Sequence, residues 1–176
     1  MMRSFAPPGA PALLTILPLI SVGFSGACFG FFFAWQSSTL RGLDMIDPAT
    51  AIEAMQAMNA SVRNPLFGTF YFGTPLVLAL STVVMAVLRA RVAAVVLGLA
   101  LVLHMVGVFG VTATINVPLN QDLAAVDAQA PEAATIWQAY STRWQSANLI
   151  RMIAAGVSLM LVAATLTPTA RNRRRS

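Results

Sequence analysis

Four long apolar stretches alternate with two more polar segments along the chain. The apolar stretches run from about residue 13 to 35, 67 to 88, 92 to 115 and 147 to 166. Each contains about the 20 residues that an α-helix needs to cross the ~30 Å hydrocarbon core of a bilayer. The pattern therefore predicts four membrane-spanning helices, with longer loops over residues 36–66 and 116–146.

Helical signals continue into both long loops. Asp47 and Pro48 form an N-cap followed by a proline at the first helical position, which predicts a helix from Ala49 to Val62. In the second loop we expect Pro118 to stop or kink the third span, with a short helix over residues 119–126 after it. These segments predict a helical cap on one end of the bundle.

The last helix is predicted to begin near Pro131 and to run without a breaker into the fourth span. One of its faces changes from aromatic to polar as it enters the bilayer. This face consists of Trp137, Tyr140, Trp144, Asn148 and Arg151. An arginine at that depth is costly unless it is paired or reaches water, which makes it a functional candidate. Its candidate partners are Asp44, Asp47, Glu53 and Asp122.

Two further features predict how the helices are arranged. The three-residue turn from Arg89 to Arg91 makes the second and third spans antiparallel neighbours. In the first span, Gly23, Gly26 and Gly30 would let another helix approach closely.

At the start of the second span, aromatic residues are typical of a membrane interface. They are Phe67, Phe70, Tyr71 and Phe72.

Composition agrees with a membrane protein. Hydrophobic residues make up 57% of the chain and charged residues 10%, against roughly 25% charged residues in soluble domains. These proportions argue against a soluble enzyme and against a disordered chain. With Cys28 as the only cysteine, no intrachain disulfide can form. We therefore expect an all-α, four-helix transmembrane bundle that forms one membrane domain over residues 1–176.

The charges predict the orientation in the membrane. The N-terminal tail, the Arg89–Arg91 turn and the C-terminal tail contain seven arginines and no acidic residue, whereas the two long loops contain all six acidic residues. The positive-inside rule then places both termini in the cytoplasm, in a bacterial plasma membrane, with the cap extracytoplasmic. The basic C-terminal cluster is therefore interpreted as a topology signal and not as a nucleic-acid-binding site.

Three blocks of residues carry a resemblance to a known family. The first combines Met55–Asn59, Asn64–Phe67 and Phe72–Pro75, the second is Asn116–Asn120, and the third joins Trp137 and Tyr140 to Trp144–Arg151. Together they resemble the anthrone oxygenase-like group of small four-span membrane proteins, over about residues 13–165. A threonine often follows the tryptophan of the third block in relatives, where this chain has Gln145.

The resemblance implies a chemistry. Some fungal members oxidise an anthrone to an anthraquinone with dioxygen, without a metal or flavin. By this resemblance we expect an oxygenase or related oxidoreductase that uses no cofactor and acts on a small, lipophilic, aromatic or quinone-like substrate. No histidine or cysteine spacing predicts a metal site.

Such a reaction needs a base, donors that stabilise an enolate, and an apolar pocket for a flat ring. The candidate catalytic donors are Asn116, Asn120, Asn148 and Arg151. The candidate substrate-binding residues are Gln56, Asn59, Asn64, Tyr140 and Trp144. We predict that the asparagines at positions 59, 64, 116, 120 and 148 meet Arg151 in one polar pocket beneath the cap.

The base is left open by the sequence. His104, in the middle of the third span, is either a neutral histidine bonded to a neighbouring span or a proton acceptor facing a cavity. Tyr140, Asp122 and Glu53 are alternative bases.

The asparagines also have a structural interpretation, because amide side chains can cap helix ends and connect the loops. The aromatic face likewise could pack the cap and bind no ligand. The alternative function is therefore a non-catalytic membrane protein that binds a lipid or a protein partner through its cap. A transporter or channel is a third hypothesis, disfavoured because polarity is concentrated at one end. The sequence defines no oligomeric state.

The orientation can be tested with reporter fusions after Arg175. A fluorescent protein fused there should fold and fluoresce, and alkaline phosphatase should be inactive, because both termini are expected in the cytoplasm. Phosphatase inserted after Gln129, in the second long loop, should be active. Active phosphatase at Arg175 would contradict the orientation.

Overall fold

The computed structural model describes residues 10–167, with side chains from residue 12 onward. Every regular element in that range is helical. The α-helices are α1 (Ala10–Ala34), α2 (Leu40–Leu43), α3 (Pro48–Ser61), α4 (Pro65–Val87), α5 (Arg91–His104), α6 (Val117–Ala124) and α7 (Ala133–Ala164). Three π-helical turns, Trp35–Thr39, Met105–Gly110 and Thr112–Asn116, lie between some of them. The tail arginines that predicted the orientation, Arg3 and Arg171–Arg175, lie outside the described residues.

Four continuous helical rods are long and apolar enough to cross a membrane. They are span 1 (Ala12–Leu43), span 2 (Pro65–Val87), span 3 (Arg91–Ala124) and span 4 (Ala133–Ala164). The prediction of an all-α protein with four spanning helices is thus confirmed. The predicted ends of spans 1 and 3 were too early, since π-helical turns carry both rods on to α2 and α6.

Pro118 does not stop span 3. The backbone N–H of Val117 bonds to the carbonyl of Thr112, five residues earlier, at the end of a π-helical turn. A new α-helical segment begins there, and Pro118 occupies its first turn. A proline costs least in a first turn, because its missing N–H would have no helical partner there. The wider turn before the proline therefore lets the rod continue into α6.

The spans pack as a four-sided bundle. α1 contacts α4 and α7, and α5 contacts the same two helices from the opposite side. The turn between α4 and α5 is closed by Arg89, which has a φ of 60°, and by a 2.9 Å bond from the Ala90 N–H to the Met85 carbonyl. The prediction that spans 2 and 3 are neighbours is confirmed.

Close helix contacts occur at other glycines than those predicted. Gly23, Gly26 and Gly30 have no neighbouring atom within 4 Å of an added Cβ, so the expected close approach at these positions was wrong. Gly107 of span 3 instead lies directly against Ala154 of span 4. The difference arises because Gly23 and Gly30 lie on an exposed face of α1, where no helix packs in this chain.

The end of the bundle opposite the Arg89 turn carries the cap, formed by α2, α3, α6 and the first turns of α7. The predicted N-cap is present, since Asp47 accepts a 3.1 Å hydrogen bond from the Thr50 N–H. A core of buried side chains holds α3 between α6 and α7. It includes Leu40, Ile52, Met55, Leu123 and Trp137. This packing places α3 over the open end of the bundle.

Asp44, just after α2, connects the first rod to the last. Its carboxylate accepts hydrogen bonds from the Trp137 indole (3.1 Å), the Ser141 hydroxyl (2.6 Å) and the Gln145 amide (2.7 Å). Three donors from successive turns of α7 thus fix the end of span 1 beside span 4.

The contact between Gly107 and Ala154 can be tested by adding a methyl group. Gly107→Ala should lower the thermal midpoint in detergent, with a cost of about 1–3 kcal/mol, because the new Cβ would overlap the Ala154 methyl. Adding Ala154→Gly should restore most of the loss.

Gly30→Ala is the matched control, since nothing lies within 4 Å of its added Cβ. It should leave the midpoint unchanged or raise it, because alanine favours a helix. Equal effects of the two glycine substitutions would show that the close contact is absent.

Candidate functional site

A cavity of about 360 Å³ lies beneath the cap, between α3, the start of α4, span 3 and α7. Its walls combine aromatic rings with amides and two arginines. The aromatic residues are Phe31, Trp35, Phe67, Tyr71, Phe72 and Trp144. The amides and arginines are Asn59, Asn64, Asn116, Asn120, Arg63 and Arg151. This mixture of flat apolar faces and a few polar groups is typical of a small-molecule site.

Arg151 is the buried charge of this cavity, with 5% of its surface exposed. Its guanidinium donates to the Asn148 carbonyl oxygen at 2.9 Å and to the Thr112 hydroxyl at 3.4 Å. The group also lies 4.8 Å from the ring centres of Phe32 and Trp144. Each of these cation–π contacts contributes roughly 0.5–2 kcal/mol. The Nε atom has no partner among the described residues.

None of the four carboxylates proposed as partners bonds to Arg151 among the described residues. Asp44 is bound by α7, Asp47 caps α3, and Glu53 accepts a 3.1 Å bond from Gln129. Asp122 is exposed on α6. The predicted ion pair is therefore wrong, because three of the carboxylates hold the cap together and the fourth is exposed. Neutral dipoles and ring faces stabilise the guanidinium instead.

Asn148 lies behind Arg151 and does not line the cavity. Its amide NH₂ donates to the Phe32 carbonyl at 3.1 Å and to the Gln36 side chain at 3.0 Å, and its oxygen accepts from Arg151. It is completely buried. With its donors and its acceptor oxygen in use, Asn148 would act through Arg151, as a positioning residue.

Asn116 and Asn120 face the cavity from span 3. Asn116 donates to the Trp144 carbonyl at 3.4 Å, and its own oxygen has no partner among the described residues. The oxygen of Asn120 accepts from the Tyr140 hydroxyl and from the Trp144 indole, both at 2.9 Å. The NH₂ group of Asn120 forms no hydrogen bond among the described residues and is left to the cavity wall. The Asn116 oxygen is enclosed, with almost no accessible surface.

The predicted substrate-binding residues divide into two groups. Asn59, Asn64 and Trp144 line the cavity, although the Asn64 side chain also caps α4 by accepting from the Phe67 N–H at 3.0 Å. Tyr140 and Gln56 lie outside its lining. The Tyr140 hydroxyl accepts a 3.4 Å hydrogen bond from the Asn59 amide and donates one to the Asn120 oxygen, so it links these two amides.

Gln56 connects α3 to the end of α6. Its amide donates to the Leu123 carbonyl at 2.9 Å and to the Val126 carbonyl at 3.0 Å. These are carbonyls at a helix end, which lack helical partners. The structural interpretation of the cap amides therefore describes Gln56 well.

His104 differs from both sequence interpretations. It is completely buried in span 3 and is not part of the cavity wall. Neither ring nitrogen has a hydrogen-bond partner among the described residues, so the expected bond to a neighbouring span was wrong. Its nearest aromatic contact is Phe109, with ring centres 6.0 Å apart.

Tyr71 is a site residue that the sequence pattern did not predict. The run from Phe67 to Phe72 indicated an interfacial belt, but Tyr71 is 7% exposed and lines the cavity. Its ring stacks on Phe109 at 4.4 Å and on Phe67 at 5.1 Å. Its hydroxyl lies beside Thr112 and near the Arg151 guanidinium. The signal available in the sequence was that Tyr71 carries the one ring hydroxyl among the phenylalanines of this segment.

The model of a family described as anthrone oxygenase matches residues 65–161, more than half of the chain. The chain belongs to the anthrone oxygenase family. The resemblance seen in the sequence is thus confirmed. No curated protein and no solved structure matches the chain.

The family match covers spans 2 and 3 and most of span 4. Tyr71, Asn116, Asn120 and Arg151 of the cavity all lie within it, whereas α1 and α3 lie outside it. Among the described residues, His, Cys, Asp and Glu form no group of three that could hold a metal ion.

Ligand entry into the cavity can be followed by tryptophan fluorescence. Trp35 and Trp144 line the cavity with ring centres 5.2 Å apart, whereas Trp137 is buried in the cap. Adding 9,10-anthraquinone to the detergent-purified protein should quench the emission of the two lining residues.

Trp137→Phe should retain the quenching, and the double variant Trp35→Phe, Trp144→Phe should lose most of it. Thermal midpoints of both variants would show that the fold persists. Quenching that disappears with Trp137 would contradict a ligand site in this cavity.

Proposed function

We propose that the protein is an oxygenase that uses dioxygen, without a cofactor, to convert a planar, electron-rich carbon acid such as an anthrone into a quinone. Membership of the family supports the reaction class. The observation that carries the proposal is Arg151, a buried cation in the wall of an aromatic cavity, to which no carboxylate of the described residues is bound. A fixed positive group of this kind favours the enolate over its neutral parent.

The reaction can be written with its atoms balanced. A C–H bond of the ring CH₂ breaks, the proton goes to a base, and the electron pair moves onto the ring carbonyl oxygen as an enolate. The enolate carbon then bonds to dioxygen, and protonation gives a hydroperoxide. Loss of water from the hydroperoxide leaves the second carbonyl. One oxygen atom enters the quinone and the other leaves as water.

The cavity residues take separate roles in this proposal. The Arg151 guanidinium stabilises the enolate oxygen. Trp144 and Trp35 offer flat faces for the substrate ring. Their own ring centres lie 5.2 Å apart, which is a typical distance for a direct contact between two aromatic rings. Asn120 orients the polar substituents of the substrate ring through its NH₂ group, and Asn116 holds span 3 against Trp144.

Tyr71 is proposed as the proton acceptor, in its phenolate form. Tyr71 is the one tyrosine among the described residues that line this cavity, and none of those residues is a histidine, a cysteine, an aspartate or a glutamate. The Tyr71 hydroxyl lies beside Thr112 and near the Arg151 guanidinium. The bases considered from the sequence are less suitable, since Glu53 and Asp122 lie outside the wall and Tyr140 is bonded to Asn120.

The membrane setting is part of the proposal. An integral protein of the bacterial plasma membrane with both termini in the cytoplasm would place this cavity at the extracytoplasmic end of the bundle. A lipophilic substrate would then reach it from the bilayer.

Oxygen uptake by the purified protein with anthrone tests the function. Arg151→Gln should lower kcat/KM by roughly 100-fold, as the loss of an oxyanion-stabilising group does in other enzymes. Tyr71→Phe should lower kcat, because the ring CH₂ then has no proton acceptor in the proposed place. Quinone formation, followed by absorbance, should equal the dioxygen consumed.

Arg143→Gln is the matched control, because Arg143 is exposed on the same helix and lies outside the cavity wall. It should keep wild-type activity. Wild-type turnover that survives Arg151→Gln in a folded protein would overturn the assigned role. Anthraquinone binding without any oxygen uptake by the wild type would favour the alternative, a non-catalytic binding protein.

A further inference from the structure

A second cavity, of about 390 Å³, adjoins the first on the other side of the start of α4. The two share part of their walls, including Phe31, Phe67 and Tyr71. Met58 and Val62 of α3 also belong to both, so the cap helix roofs them together. With these shared residues the two cavities lie side by side around the first turns of α4, and we name the pair the bent space. We call the part beyond the shared wall the side chamber; Ala27, Cys28, Ser61, Leu66 and Phe70 line it alone.

The side chamber differs from the first cavity in polarity. Arg151, Asn116 and Asn120 line the first cavity and not the second. Of the residues that line the side chamber alone, the two with polar side-chain atoms are already bonded. Cys28 contacts the Phe70 carbonyl at 3.6 Å, and the Ser61 hydroxyl donates to the Met58 carbonyl at 3.0 Å. The chamber therefore suits an aliphatic group and no polar one.

The position of the side chamber indicates where its occupant comes from. It lies between α1 and α4, both of which belong to membrane-spanning rods. Ala27 is eight residues before Trp35, which is about 12 Å along a helix. The chamber thus extends from the cap towards the hydrocarbon region along the side of the bundle.

We propose that the ligand of this bent space is a lipid with a flat, hydroxylated aromatic ring and an aliphatic tail. The ring lies beside Arg151 and Trp144 in the first cavity, and the tail lies in the side chamber and leaves between α1 and α4. This inference rests on the proposed function, since a hydroxylated ring of this kind is the enol form of the ring ketone on which that reaction acts. A compact tricyclic ring alone would leave the side chamber without an occupant.

The tail is expected to orient the ring more than to increase affinity. A tail that moves from hydrocarbon into the chamber exchanges one apolar environment for another, so it gains little hydrophobic free energy. The test must therefore locate the tail and not only measure binding.

Photolabelling in lipid vesicles locates the tail. The probe is a dihydroxynaphthalene with a straight alkyl chain that ends in a diazirine. Mass spectrometry should find adducts on residues 27–31 and 66–70. An excess of the same molecule without the diazirine should remove them, and a fatty acid of equal chain length should not.

Ala27→Phe should fill the side chamber and reduce these adducts at least tenfold. Ala86→Phe is the matched control, because Ala86 is exposed near the other end of α4 and lines neither cavity; it should label as the wild type does. If Ala27→Phe fails to fold, Leu66→Trp narrows the chamber from the α4 side at an exposed position. Unchanged labelling in a folded chamber variant would overturn the proposal.

Two other label distributions would also overturn it. Adducts spread over exposed residues such as Leu76 and Leu80 would mean that the tail lies in bulk lipid. Equal competition by the fatty acid would mean that an ordinary acyl chain occupies the chamber.

Oxygen uptake with tailless anthrone separates this inference from the proposed function. No uptake by the wild type refutes the oxygenase proposal but leaves the mapped tail site standing as a lipid-binding site. Uptake by the wild type, together with tail labelling that disappears in Ala27→Phe, supports both.

Discussion

A guanidinium buried in a membrane protein must be stabilised without water, and this constraint organises the cap end of the bundle. Taking such an ion out of water costs several kcal/mol unless other groups replace its hydration. Here Asn148 of the same helix, Thr112 of span 3, and the rings of Phe32 and Trp144 do so. Arg151 thereby connects three spans, and one side of its charge is left to the cavity.

The polar residues of the cap serve two purposes, and the contacts distinguish them. Asp44 and Gln56 satisfy donors and carbonyls of other helices and hold the cap in place. Asn116 and Asn120 also use part of their amide for such bonds, and the NH₂ group of Asn120 is left to the cavity wall. The structural interpretation of the amides thus describes Gln56, whereas the functional interpretation stays a prediction for the amides of span 3.

The cavity also shows how a small bundle can combine an apolar environment with a few polar groups. Spans 2, 3 and 4, which the family match covers almost completely, supply Arg151, Asn116, Asn120 and Tyr71. α1 and α3, outside the match, contribute mainly apolar walls and the roof. The chemistry and the fit of the apolar part of a ligand would thus be set by different parts of the chain.

The sequence by itself determined the four spans, the cap helix with its Asp47 N-cap, and the single face of α7 from Trp137 to Arg151. These follow from local rules, namely hydrophobic length, helical periodicity and capping, which act between residues a few positions apart. The end of span 3 was harder to predict, because no sequence pattern indicates the π-helical turn that lets the helix continue past Pro118.

Only the tertiary structure decided which side chains meet. Arg151 contacts Thr112 and Phe32 and none of the four candidate carboxylates. The sequence could not show this, because the neighbours of Arg151 depend on how spans 1, 3 and 4 pack. The same holds for Tyr71, which turns into the cavity, and for His104, which is buried away from it. Periodicity fixes the face of a helix on which a residue lies, but the partner of that face is set by contacts between residues distant in the chain.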